Sequence, residues 1–103
     1  MTSTQKFIEQ VGETQRSVLE TLTKKSEEYA SYDDRFRNCR VGAEMAGVSP
    51  AVVAWFWQLK HSVSIKMMLD GEVPFDRELL DEKFGDHIGW DYIIKSLMIE
   101  DLD

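Results

Sequence analysis

From Leu79 to Leu102 the chain reads as one long helix, and that reading limits the fold more than any other feature. Leu80, Phe84, Ile88, Ile93, Ile94, Leu97 and Met98 recur at helical spacing and supply an apolar surface to be buried. Asp76 stands where an N-cap belongs, and Glu78 lies near the positive end of the helix. Glu82 and Asp86 are four residues apart, so their carboxylates lie on one face about a turn apart. Such a pair is either a solvated edge or one half of a metal site.

The preceding segments repeat the helical signature. Phe7, Ile8, Val11, Val18, Leu19, Leu22 and Tyr29 form one stripe, which predicts a long helix from about Thr4 to Tyr29. Ala30 to Asp34 reads as a break, with Asp33 or Asp34 capping a short helix from Arg35 to about Ala46. Phe36, Cys39, Ala43 and Ala46 are its expected inner face, and Gly47 its C-terminal stop. Ser49-Pro50 is the sharpest boundary, a capping serine followed by proline at the first helical position. The third helix then runs to about Leu69, before Gly71. Val52, Val53, Phe56, Leu59, Val63 and Met67, with Ile65 and Met68 as further candidates and broadened by Trp55 and Trp57, make it apolar over well over half its circumference. A helix like that is central to a bundle or shared with a partner.

With two prolines and six glycines there is little room for a turn-rich β fold. The expected architecture is a single domain over residues 1–103, all-α. It is an antiparallel bundle of about four helices, three long and one short. No apolar run is long enough for a membrane span, and no signal peptide is visible. Cys39 is the sole cysteine, which fits a reducing, cytoplasmic setting.

The net charge of −7 is unevenly placed. From Asp70 onward eleven acids face three bases, while residues 1–69 are nearly balanced. An acidic chain makes a poor general binder of nucleic acid, because phosphate neutralisation supplies most non-specific affinity. The basic residues Arg35, Arg37, Arg40, Lys60 and Lys66 cluster in the centre of the chain. They either pair with the acidic last helix or meet an anion, for which arginine forks are suited. Lys60-His61 sits within an otherwise apolar helix, so Lys60 either snorkels to solvent or meets an anion, and His61 and His87 are the two histidines that could serve as metal ligands. Two scattered histidines and one cysteine do not make a zinc site. The tryptophans and tyrosines are expected in the core or at an interface. Magnesium needs oxygen ligands, and Glu82 with Asp86 supplies half a set. Glu27, Glu28, Asp33 and Asp34, near the end of the first helix, are the nearest source of the rest.

Several of these places occur together in a familiar order. Lys25-Ser-Glu-Glu-Tyr29, Asp34-Arg-Phe-Arg-Asn38, Gly47-Val-Ser-Pro50, Lys60-His61 and the pair Glu82 and Asp86 span most of the chain. This series resembles a family of small bacteriophage and prophage proteins, which in turn looks like the MazG-like all-α nucleoside triphosphate pyrophosphohydrolases. The resemblance implies a MazG-like bundle that binds a nucleotide with Mg²⁺, or hydrolyses it to a monophosphate and pyrophosphate. Glu82 and Asp86 would then be the catalytic acids and metal ligands, with Glu28 or Asp34 opposite. Lys60 and Arg35 would contact the phosphates, with His61 beside them, and Asn38 would read sugar or base. It also implies assembly as a homodimer in the cytoplasm of a phage host. The chain departs from the pattern at Ser31, where a third carboxylate is usual, at Ala30 and at Trp90. The competing expectation is a non-enzymatic acidic protein that binds a host or virion protein, its carboxylates standing in for nucleic-acid phosphates. A structural dimer without a ligand is the third.

Overall fold

Ser49 and Pro50 act as their chemistry requires. In the computed structural model, which describes residues 1–28 and 34–103 and leaves out the side chain of Glu28, Ser49 accepts the Val52 N–H at 3.3 Å. Pro50 then opens a helix that runs to Leu69. The described residues form four helices, α1 (Ser3–Glu28), α2 (Arg37–Ala46), α3 (Pro50–Leu69) and α4 (Arg77–Leu102). The chain is thus all-α, as its periodicity requires, and among the described residues no helix is long and apolar enough to cross a membrane.

The ends follow local rules. Gly47 takes φ 71°, a left-handed conformation that side chains resist, and its N–H closes α2 on the Ala43 carbonyl at 2.9 Å. Asp76 caps α4 by accepting the Leu79 N–H at 2.9 Å. The start of α2 differs from expectation. Asp34 does not cap it; one carboxylate oxygen accepts the Phe36 N–H at 2.9 Å, and the helix begins only at Arg37. An Asx turn has displaced the cap by two residues. The expected break from Ala30 to Asp33, and with it Tyr29 and Tyr32, lies outside the described residues.

Short connections fold α2, α3 and α4 back on one another. Gln58 meets His87 and Asp91, and Ser62 meets His87, so α3 and α4 run in opposite directions. Gly42 sits so close to Val53 and Trp57 that an added Cβ would lie 3.2 Å from Val53 Cγ1. Cys39, Ala54 and Leu97 form the buried centre, with Phe36, Trp90, Ile93 and Ile94 packed around it. α1 joins through α4 alone and runs along it in the same direction. Glu13 pairs with Arg77 at 3.5 Å, Leu22 lies against Gly89, and Val18 is buried between.

Burial departs from the apolar pattern in a systematic way. Of the α3 positions read as cover, Val53 and Met68 are buried and Ile65 half-buried, whereas Val52, Phe56, Leu59, Val63 and Met67 are exposed. Phe7, Ile8 and Val11 of α1, Ala46 of α2, and Phe84 and Met98 of α4 are exposed as well.

Candidate functional site

Between α1 and α3, floored by α4 and bounded by the start of α2, lies a cavity of about 410 Å³. Each wall follows from a helical register. On α1, Val18, Leu22 and Lys25 are spaced by four and three, so the face that packs on α4 delivers Lys25 to the rim. Arg35, just ahead of α2, and Asn38, in its first turn, stand beside the turn that Asp34 makes. On α3, Trp57, Lys60 and His61 share one side. On α4, Gly85 and Gly89 leave room one turn apart, with Asp86 and Trp90 beside them.

Five of the residues singled out in the sequence therefore line one cavity: Arg35, Asn38, Lys60, His61 and Asp86. Of the other three, Glu82 and Asp34 do not, and the side chain of Glu28 lies outside the described residues. Glu82 lies a turn before Asp86, and its side chain is 59% exposed, 4.0 Å from Lys83. Asp34 is engaged elsewhere, in an ion pair with Arg40, which also holds Glu100 at 2.9 Å. The Arg40 guanidinium and the Phe36 N–H hold the Asp34 carboxyl below its usual range. The side chain of Glu28 lies outside the described residues, as does Asp33. Thr21, Gly85 and Gly89 line the cavity without a part in the sequence reading, and Lys25 entered it only as the first residue of a motif. Lys25 was detectable from its register with Val18 and Leu22, whereas Gly85 and Gly89 carry no signal until α1 is seen to lie across them.

Among the described residues of the lining, Lys25, Arg35 and Lys60 are cations and Asp86 is the carboxylate, in a chain of net charge −7. His61 is neutral in character, because burial pushes its pKa below the ordinary value while Asp86 opposes the shift. Its Nδ1 is buried with no hydrogen-bond partner, 3.9 Å from Asp86 Oδ2. An orphaned buried nitrogen beside a carboxylate is costly in a finished core and useful in a binding site. Trp57 and Trp90 meet edge to face at 5.9 Å and give one wall a flat apolar surface. The Cys39 thiol is in the wall, and burial raises its pKa, so it is an unreactive packing group.

No protein-family model matches this sequence, and no curated protein or solved structure matches it significantly.

Among the described residues no three His, Cys, Asp or Glu side chains form a group able to hold a metal ion. Asp86 and Glu82 supply hard oxygens from one helix, the small protein share that Mg²⁺ accepts when phosphates complete its shell. Asp86 is the carboxylate among the described residues of the lining, and Glu82 lies one turn before it outside the cavity.

A second polar cluster lies across the α3–α4 contact. Ser62 Oγ is 2.9 Å from His87 Nε2, and His87 Nδ1 is 3.7 Å from Asp91 Oδ2. The order Ser-His-Asp suggests a nucleophile, but the His–Asp separation is too long for a hydrogen bond. Asp91 instead accepts the Gln58 amide at 2.6 Å. This cluster is a clamp between helices.

Proposed function

We propose that the cavity binds a nucleoside triphosphate together with Mg²⁺, and that the protein releases pyrophosphate from it. The observation carrying this reading is the gathering of Lys25, Arg35 and Lys60, with His61 and Asn38, around one cavity beside Trp57 and Trp90. A ligand suited to such a lining has several negative oxygens at one end and a flat ring at the other. Nucleotides have that shape. Arg35 offers a planar fork to phosphate oxygens, and the two lysines offer point charges. Asn38 both donates and accepts, as recognition of a sugar or base edge requires. Neutral His61 holds its Nδ1 toward the carboxylate side of the cavity, where it takes or gives one hydrogen bond. Asp86, with Glu82 a turn away, would hold the magnesium ion. That ion supplies Lewis-acid polarisation of a phosphoryl oxygen when bound. The order of motifs resembling MazG-like pyrophosphohydrolases supports the choice of pyrophosphate release over other phosphate chemistry.

The test is pyrophosphate release from a panel of canonical and modified nucleoside triphosphates, with and without Mg²⁺. Turnover is expected only with the metal, and Asp86→Asn is expected to reduce it on the order of 10²-fold. Lys60→Met is expected to weaken binding of the substrate. If no triphosphate is turned over or raises the melting temperature, the cavity is not a nucleotide site. The acidic surface of α4 would then be the better starting point.

A further inference from the structure

Glycine weakens the interior of a helix, because it packs no side chain and gives up more backbone freedom than alanine does. At Gly42 the packing explains it, since an added Cβ would lie 3.2 Å from Val53 Cγ1. At Gly89, which is buried, a Cβ would rest on Leu22 at 3.7 Å. Gly85 differs from both. Beyond its own stretch of α4, no described atom lies within 4 Å of the Cβ it lacks. Its backbone does not call for glycine either: among the described residues the positive φ angles belong to Gly47 and Gly71. The space beside Gly85 is the cavity, which it lines together with Asp86, Val18 and Thr21 from α1, and His61 from α3. Gly85 and Val18 also line a cleft of about 70 Å³ that lies between α1 and α4 toward Arg77.

In mid-helix every backbone N–H is bonded to a carbonyl of the same helix, so a bare turn offers a ligand room and no hydrogen bond. The groups that can bond stand next to it. His61 Nδ1 is buried without a hydrogen-bond partner, and Asp86 Oδ2 is 3.9 Å from it. A ligand group that reaches this pair comes up against the turn of α4 that carries Gly85. A side chain at that position would take the same space. We infer that Gly85 is a specificity-determining residue: the nucleoside triphosphate rests on its bare backbone beside Asp86, and the missing side chain sets how much bulk the cavity accepts there. The inference rests on the nucleotide reading and adds to it a position that contributes only space.

The test is a size series at this position, read by calorimetric titration of the full chain with the canonical ribo- and deoxyribonucleoside triphosphates, each with Mg²⁺. Gly85→Ala is expected to raise the melting temperature by about 4 °C, as alanine does at an open helical position, and to weaken binding about fivefold. Gly85→Leu is expected to keep the fold and weaken binding on the order of 10²-fold, the cost of overpacking an occupied site. Gly12→Ala is the control, because Gly12 also has open space beside it but is not part of the cavity lining. It is expected to raise the melting temperature alike and to bind as the wild type does. A wild type that binds, with a folded Gly85→Leu that binds equally well, overturns the inference and leaves the nucleotide reading standing. A wild type that binds no triphosphate overturns both. A loss in Gly12→Ala equal to that in Gly85→Ala refutes a local role for Gly85. If Gly85→Leu fails to fold, Gly85→Ala decides: weaker binding at a raised melting temperature supports the inference, and unchanged binding refutes it.

Discussion

His61 has the largest conflict between what a side chain prefers and where the fold puts it. Water solvates imidazolium well, yet this ring is 13% exposed and its Nδ1 has no partner. Asp86 faces it from α4 with a charge that favours protonation, while Lys60, Lys83 and His87 disfavour it along with burial. The net effect is a pKa below 6.5 in the folded chain. The unfolded chain therefore takes up a proton at a pH where the folded chain does not. Stability from this residue is full above pH 6.5 and is lost as pH falls through the lowered folded value. Asp34 shifts in the same direction but acts only below 3.8, in a separate window. Thermal melts across the histidine window are thus expected to lose stability toward acid, and His61→Phe is expected to flatten that slope. The sequence marked His61 as an oddity on an apolar helix. It could not reveal the buried nitrogen, because the groups that bury it come from α4.

Gln58 does for a pair of helices what His61 does for one position. Its side chain is 3% exposed, and its amide nitrogen donates to the His87 carbonyl at 3.0 Å and to Asp91 Oδ1 at 2.6 Å. One side chain therefore fixes the height of α3 against α4, and with it the position of Lys60 and His61 over Asp86. Gln58→Ala removes both bonds and leaves a void, so a loss of about 2 kcal/mol in urea unfolding is expected, with Gln58→Leu costing roughly half that. Element boundaries were legible because caps are local chemistry. Ser49, Pro50, Asp76 and Gly47 each act within about one turn of themselves. Facing was legible only where periodicity existed. On α1 the stripe that buries Val18 and Leu22 runs on into Val11, Ile8 and Phe7, ahead of the turn where Glu13 draws level with Arg77, so its first turns lack the cover of α4. On α3 apolar residues occur all round, and no sequence pattern tells which side is inner. The packing of Gly42 on Val53 and Trp57 and the Gln58 clamp decide it.

At the scale of the whole molecule the decisive quantity is charge at two distances. The cavity gathers Lys25, Arg35 and Lys60, while the chain as a whole carries −7, mostly from Asp70 onward. The acidic half and the basic centre were plain in the sequence. The meeting of Lys25, Arg35 and Lys60 at one cavity was not, since it depends on α1 bringing Lys25 across α4. A polyphosphate ligand feels attraction from groups in contact and repulsion from charges spread over a body with a radius of gyration of 15.9 Å. The screening length is about 8 Å at 0.15 M salt, so the distant repulsion is already largely screened there while the contacts are not. Adding salt from that point weakens only the attraction, and affinity falls. Removing salt stretches the screening length to about 30 Å at 0.01 M, the repulsion returns, and the gain stops. Calorimetric titration with a nucleoside triphosphate is therefore expected to give a curved salt dependence, flat at low salt and falling above about 0.15 M. Lys60→Met is expected to bind roughly tenfold more weakly, the worth of one charge-assisted contact, and to fall less steeply at high salt. A straight line shared by wild type and variant would mean that the ligand is held by the outer surface and not by these three cations.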